Sequence, residues 1–536
     1  VNVIWFTELK GDRHWVEYGS DLKQQVLANT TKLSRVREDK DSQLGNQTSL
    51  TEVVPRDIWR HEATVVNLSP NQRTSYQVKS RLGKQTISSN IFTLASNPTS
   101  DRPLKILLTS DHQLMPMTTA NLSKVADTIN QLDAVFLAGD LVNVPDRASE
   151  WFDDSRGSAF FPALQGKGNY QLERNGIKTT YKGGEIIQHA PLFTAIGNHE
   201  VMGRRLKPTL NEEFNDPIPR KAAASLYQKV ARKINSRADI QTQQDWIKNN
   251  SFNTDTYEEI FSLPKNSTTE KHYYATTFGD IRLISLYVTN IWRSPSLDAE
   301  DAGRYKESSN NLNNPEKWGY GQHIFEPIKQ GSQQYQWLKQ ELSSDAYKKA
   351  KYKIVMFHHP PHTLGGNIVP PYTEPQQKPY YQDGKLRSLY YDYPIENDYI
   401  VRDLIPLLES AKVQLVYYGH SHLWNRFQSD SGMHFLESSN VGNSYGAHLE
   451  DNPRPVPTYS PKNYVTIGNP NGLDPIIPNI NPLMDDQGQA MPYIASNDIT
   501  VFSIFDTKTG TVSSYRYDTR QPGSDAIKFD EFKLGK

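Results

Sequence analysis

The chain of 536 residues contains no cysteine. That excludes disulfides, thiolate metal sites and cysteine nucleophiles in one step. Charge of one sign is missing too: 59 Lys plus Arg stand against 60 Asp plus Glu, a formal net charge of -1. A balance of this kind leaves no global electrostatic footprint for nucleic acid or an anionic membrane, so a charged ligand has to be handled locally. The apolar runs fall well short of the roughly 20 residues that a bilayer span requires. No signal-peptide pattern, internal repeat or low-complexity tract is visible.

What is present suggests two or more domains, given the usual range of domain sizes. The opening Val1-Asn2-Val3-Ile4-Trp5-Phe6-Thr7 already reads as a strand, so an upstream segment is expected to have been removed. With Asn-x-Ser/Thr triplets such as Asn46-Gln47-Thr48, the expectation is an exported prokaryotic protein, extracellular or periplasmic. Residues 1–98 carry short β-rich runs separated by turn residues, the pattern of an all-β sandwich. His14 and His61 lie there without a partner constellation and read as packing residues. The polar, proline-marked stretch around Pro98 and Pro103 places a boundary, giving domains 1–98 and 99–536. Beyond it strand signals alternate with helical ones at 118–132, 222–247, 333–342 and 398–411, which predicts an α/β layered domain. Long irregular stretches at 151–189, 297–325 and 363–397 read as ordered walls of a site. The Pro/Asn-rich 451–492 reads as a surface excursion, and the closing β-rich runs near 499–505 and 511–517 as a hairpin on a sheet edge.

One grammar recurs five times. KILLTS runs into Asp111; AVFLA into Gly139-Asp140; PLFTAI into Gly197-Asn198-His199-Glu200; KIVMF into His358-His359-Pro360; LVYY into Gly419-His420-Ser421-His422. Each is a short apolar run of buried-strand composition that ends in Asp, Asn or His. Ligands collect at the carboxyl ends of strands in open α/β sheets, so these ends are able to converge. Asp111, Gln113, Asp140, Asn198, His358, His420 and His422 supply only oxygen and nitrogen donors, suited to Zn, Mn, Fe, Mg or Co. Seven donors exceed the needs of one four-coordinate ion. Two ions sharing a bridging carboxylate use them all, and a pair about 3.5 to 4 Å apart is a device for in-line displacement at phosphorus.

In order and spacing, Asp111-x-Gln113, Gly139-Asp140, the GNHE block, His358-His359-Pro360 and the GHSH block resemble the signature blocks of the calcineurin-like metallophosphoesterases. The N-terminal region, with its V-x-W-x-T opening, Glu17-Tyr18-Gly19 and Leu68-Ser69-Pro70 before Tyr76, is similar to the fibronectin-III-like domain of the purple-acid-phosphatase-like branch. The resemblance implies one ion on Asp111, Gln113 and His422, a second on Asn198, His358 and His420, and Asp140 bridging them. It implies two divalent or trivalent ions, Zn, Mn or Fe before Mg or Ca. The expected activity is an acid-phosphatase-like hydrolysis of phosphate mono- or diesters by a metal-bridging hydroxide. His199 is expected to stabilise the transferring phosphoryl group or protonate the leaving oxygen, with Glu200 orienting it. Two departures qualify this: Gln113 stands where His is common, and Asn143 stands where purple acid phosphatases have Tyr, so neither purple colour nor a ferric ion is implied.

Among the neighbours, His112 is expected to point away from the metals, His359 and His362 to face the wall or the substrate, and His323 to reach the cleft mouth or, the preferred reading, to cap a turn. Arg204 and Arg205 are read as phosphate contacts or a solvated basic turn, and Trp424-Asn425-Arg426 as a buttress of the histidine loop. Two alternatives stand beside the phosphohydrolase: a surface-assembly protein with a stabilising metal site, and a nucleotide-specific phosphohydrolase stacking a base on the aromatic loop 372–393.

Overall fold

Alternation along the strand Lys105–Thr109 sets the layering. Ile106 and Leu108 pack between two sheets, whereas Leu107 faces helices. Side chains of a strand alternate between its faces, so a strand apolar on both is buried on both. The first sheet runs in the order Leu192–Thr194, Ala134–Leu137, Lys105–Thr109, Ile499–Asp506, Thr511–Asp518, Ile527–Lys533. Its first three strands are parallel and the remainder antiparallel. In the second sheet Ile281–Ser285, Tyr352–Met356, Leu415–Tyr418 and His434–Ser438 are parallel neighbours, with Tyr274–Phe278 on one side and Trp424–Gln428 then Tyr493–Ile494 on the other.

Phe136, Leu283, Ile354, Tyr417 and Phe505 fill the space between the sheets. On the outer face of the first sheet lie Thr118–Thr128, Ala148–Phe152 and Phe160–Leu164; on that of the second, Gln333–Leu342, Asp345–Lys349 and Ile405–Ser410. This mixed α/β architecture follows an antiparallel β-rich N-terminal region. The computed structural model describes residues 1–45, 50–205, 208–264, 271–291, 303–457 and 464–535. The triplet at Asn46, the start of the 297–325 stretch and residues 458–463 of the Pro/Asn-rich excursion lie outside them.

Several expectations are corrected. Ile499–Asp506 is not at an edge: it pairs with the central Lys105–Thr109 strand, and Ile527–Lys533 takes the edge. The 222–247 stretch is two helices, Arg220–Ile234 and Ile240–Asn249. Ala238 between them has φ of +52°, and the Asp239 side chain accepts Thr242 N at 2.7 Å, starting a new helix. The irregular stretches hold hairpins, Tyr170–Arg174 with Ile177–Tyr181 and Gln376–Gln382 with Lys385–Asp392.

In the N-terminal region a three-stranded and a five-stranded antiparallel sheet enclose Val3, Val16, Ala63, Val65, Tyr76, Phe92 and Leu94. His14 and His61 stack across the sheets at 3.5 Å. The His61 ring meets Thr7 Oγ1 at 2.8 Å and Thr30 Oγ1 at 2.9 Å, and His14 meets Ser80 Oγ at 2.9 Å. Burial, reinforced by His14, lowers the His61 imidazole to about 3. The unfolded chain therefore takes up this proton first, near pH 6.5, and the linked stability falls as pH drops from there toward 3. Calorimetry is expected to show a melting midpoint that declines across that window, with a shallower decline for His61→Gln; an identical slope in the variant rules out His61 as the cause.

Residues 33–58 depart from a plain sandwich. Leu33, Val36 and Ile58 are built into the core on the helical face of the first sheet, so the N-terminal region is tied to the α/β region by apolar packing as well as by chain connectivity.

Candidate metal centre

The five polar strand ends meet on one side of the paired sheets, at adjoining carboxyl ends of parallel strands. Two buried groups have ligand atoms that all lie within 4.8 Å of one another: Asp140, His358 and His420, and Asp111, Asp140 and His422. Asp140 belongs to both. The backbone is contorted to achieve this, since Asp111 (φ +55°), Gln113 (+43°), Asp140 (+57°), His420 (+83°) and His422 (+55°) all lie in the left-handed region. Asp and Asn visit that region more readily than other residues, but a cluster of such residues is a mark of functional sites.

The motif glycines allow close approach. A Cβ on Gly197 would lie 2.1 Å from Asp140 Oδ1, and one on Gly419 would lie 2.2 Å from Asp111 Oδ2. Both contacts are far inside van der Waals range, so the small residue is needed beside each carboxylate.

Neighbouring acceptors fix the histidines. His358 Nδ1 lies 2.8 Å from the Ala138 carbonyl, which only accepts, so Nδ1 carries hydrogen and Nε2 is turned inward. That Nε2 is 3.0 Å from Asp140 Oδ2 and 3.0 Å from His420 Nδ1. His422 Nδ1 meets Asn443 Oδ1 at 2.6 Å, leaving Nε2 3.2 Å from Asp111 Oδ1. Burial opposes charge on His358, but Asp140 outweighs it and raises the imidazole to about 10. Burial and the neighbouring His358 and His359 push His420 well below its usual value. Burial would raise the Asp140 carboxyl, yet His358, His199 and His420 hold it below the usual carboxylate range.

This donor set fits cations. Imidazole nitrogens face carboxylate oxygens at 3.0 to 3.2 Å, an arrangement that needs a cation between them, either a proton, as on His358, or a metal ion. Gln113 Oε1, Asn198 Oδ1 and His420 Nε2 are buried with no hydrogen-bond partner, and buried polar atoms are normally satisfied. The residues are oxygen and imidazole donors with second contacts that orient them, as metal ligands require.

His199 lies beside the centre. Its backbone N–H donates to Asp140 Oδ1 at 2.9 Å, its Nδ1 meets the Asn143 carbonyl at 2.7 Å, and its ring lies 5.0 Å from Phe214. Glu200 does not orient it, contrary to expectation. The Glu200 carboxylate is buried behind the site, accepting Gly197 N (2.7 Å), Asp140 N (2.9 Å) and Leu141 N (2.7 Å). Burial and then Asp140 push that carboxyl up to about 8, against these donations. Glu200 thus shapes the backbone of two ligand-bearing turns, in the reach-back manner of a capping box.

The remaining candidates are placed as follows. His112 turns away to Thr109 Oγ1 at 3.0 Å. His359 packs 4.8 Å from Tyr372 and 5.3 Å from His420, and His362 packs 4.5 Å from Phe435. His323 does not cap a turn; it is buried in a short ladder opposite Ile291, with its ring edge-on to Phe325. Arg204 is neither a phosphate contact nor a solvated turn: its guanidinium forks onto Asp216 at 2.9 and 2.6 Å and donates to the Glu316 carbonyl at 3.0 Å. Arg205 is exposed. Asn143 directs its amide to the Gln113 carbonyl at 2.6 Å, so its nitrogen serves the loop. Trp424, Asn425 and Arg426 are buried, and Arg426 pairs with Asp530 at 2.8 Å. Tyr372, Tyr391 and Tyr393 are buried in apolar clusters, which removes them from base stacking.

Sequence reasoning missed Asn443, Tyr445 and Glu437. Tyr445 stacks on His422 at 4.7 Å. Glu437, pushed up to about 8 by burial, accepts Ser421 N at 2.9 Å, Thr363 Oγ1 at 2.6 Å and Asn425 Nδ2 at 3.1 Å beneath the GHSH turn. The signal was present: His434–Ser438 is a sixth strand with the same polar ending.

The family model described as calcineurin-like phosphoesterase matches residues 104–423. No curated protein sequence matches the chain. Among solved structures, one titled "GAP50 the anchor in the inner membrane complex of Plasmodium" aligns over 80% of this chain and 90% of its own, with 12% identity and a TM-score of 0.35.

Proposed function

The chain belongs to the calcineurin-like phosphoesterase family, and from that premise we propose that it is a dinuclear metal-dependent hydrolase of phosphate mono- or diesters. The observation that carries the reading is the shared Asp140 at the junction of two buried ligand groups. On this reading Asp111, Gln113 and His422 hold one ion, Asn198, His358 and His420 the other, and Asp140 both. Bound there, a metal pair supplies Lewis acidity toward a phosphoryl oxygen and makes water a stronger acid.

The chain's own residues do the rest. Asn143 holds the His199 Nδ1–H through its carbonyl, so Nε2 is the site that takes up a second proton, and as imidazolium it donates to a phosphoryl oxygen or protonates the departing alkoxide. Asp140 Oδ1 holds the His199 backbone in place. The amide oxygens of Gln113 and Asn198 are buried without hydrogen-bond partners, which leaves them available as ligands. A placement in the purple-acid-phosphatase-like branch is supported by the two-sheet N-terminal region. With Asn143 in the place of a tyrosine, the expected centre is colourless.

A purely stabilising metal site needs only a closed set of about four ligands. The shared carboxylate and the oriented His199 exceed that, which favours the enzyme over a scaffold. The test is to load purified chain with Mn or Zn and assay nitrophenyl phosphate and its bis ester. We expect about two ions per chain, turnover, and loss of turnover by about 10²-fold in His199→Asn with metal content kept. Stoichiometric metal without turnover of any phosphate ester refutes the reading.

A further inference from the structure

The run Arg35-Val36-Arg37-Glu38-Asp39 belongs to the N-terminal part of the chain, yet all five residues are buried. Charged residues are almost never buried unless paired, and two of these, Arg37 and Asp39, are paired with the elements that surround His199. Arg37 donates to Asp146 at 2.7 Å and, through both terminal nitrogens, to Glu213 at 2.6 and 3.0 Å. Glu213 sits on the helix Leu210–Phe214, whose first N–H donates to Asp39 Oδ2 at 2.7 Å. The last residue of that helix, Phe214, packs against the His199 ring.

A second path reaches the other side of the same ring. Asp39 accepts from Arg147 at 3.2 and 3.3 Å, and Arg147 donates to Glu150 at 2.8 Å. Glu150 in turn accepts Asn143 N at 2.6 Å and Val144 N at 2.9 Å. Asn143 is the residue whose carbonyl holds His199 Nδ1 and whose amide holds the Gln113 carbonyl. Both the face and the Nδ1 edge of His199 are therefore set by elements that converge on Asp39. Buried ion pairs are weak evidence for stability, and fixing a unique geometry is their better-attested use.

We propose that Asp39 is a positioning residue for His199, so that the N-terminal segment completes the catalytic centre of the α/β region. Asp39 touches neither substrate nor metal ligand; it acts by holding Arg147 and the Leu210–Phe214 helix. This inference rests on the phosphohydrolase reading.

The test is a double-substitution cycle in metal-loaded full chain. Asp39→Asn keeps the shape and is expected to lower kcat roughly tenfold, with KM and metal content unchanged. In the His199→Asn background the same change is expected to have no further effect on kcat, because the positioned group is gone. Multiplicative losses in the double variant, or a folded Asp39→Asn chain with unchanged kcat, overturn the proposal. If Asp39→Asn does not fold, Phe214→Leu removes the ring contact without disturbing charge, and the same non-additivity is required of it. A wild-type chain inert toward every phosphate ester sinks the phosphohydrolase reading alone. The His199 Nδ1–H resonance then decides the linkage: a shift in Asp39→Asn or Phe214→Leu supports it, and an unmoved resonance overturns it.

Discussion

Asp140→Ala is expected to lower phosphate-ester turnover by at least about 10³-fold, equivalent to roughly 4 kcal/mol of transition-state stabilisation, and to reduce metal content at both positions. The reason is geometric. Asp140 is the only side chain common to the two buried ligand groups among the described residues, so its loss removes a ligand from each. It also removes the acceptor of the His199 backbone N–H and of Gln113 Nε2, at 2.9 and 3.1 Å. His358 Nε2 and His420 Nδ1 then face each other at 3.0 Å with no carboxylate between them, which favours local rearrangement. Asp140→Asn separates charge from shape. It retains an oxygen for the His199 N–H but costs the anionic charge and the acceptor that His358 and Gln113 share, so metal content is expected to fall nearly as far and the metal-free chain to melt at a lower temperature. Elemental analysis and steady-state kinetics on both variants check this, and near-normal turnover in Asp140→Ala removes the bridging role.

The donors of the centre were legible because each is local: a short apolar run that must be a buried strand, followed at once by a polar residue with no reason to lie there unless it is used. The family resemblance rested on the same blocks, and the matched region ends at residue 423. What lies beyond that point was less legible. Ile499–Asp506 completes the first sheet beside Lys105–Thr109 although nearly 400 residues separate them, a pairing that local pattern cannot encode. Its apolar content on both faces was the available sign of an interior strand.

The supports of the centre were hidden for a different reason. Ala138 fixes His358 through a backbone carbonyl, so no side-chain identity advertises it. Glu200 has the residue type of a catalytic group, but three backbone N–H donors claim its carboxylate. Type and position in a motif did not distinguish a group that meets substrate from one that shapes a turn. In the same way Arg204 has the chemistry of a phosphate ligand and is spent on Asp216, and the burial of Arg35 to Asp39 was not legible because it depends on partners more than 100 residues away.

The GHSH turn makes the sharpest demand on this scheme. His420 and His422 sit in left-handed backbone on either side of Ser421, whose N–H is anchored by Glu437 at 2.9 Å. That anchor sends the two rings to different partners, His420 to Asp140 and His358, His422 to Asp111 and Asp140. His420→Ala is therefore expected to empty the position on the His358 side, and His422→Ala the position on the Asp111 side. The affinity loss at the affected position should be on the order of 10²-fold or more, above the 10- to 100-fold typical of a second-contact residue. Asn443 supplies a milder version: it touches His422 alone of the two histidines, through Nδ1 at 2.6 Å. Asn443→Ala should thus weaken only the Asp111-side ion, by about 10- to 100-fold. Cadmium-loaded chain read by cadmium NMR reports the two positions as separate resonances, and competition titrations give their affinities. Turnover is expected to fall in all three variants, because displacement at phosphorus by this device uses both ions. Loss of both resonances together in His422→Ala or Asn443→Ala would mean that the positions fill cooperatively through Asp140, and the turn would then be one cooperative unit and not a divider.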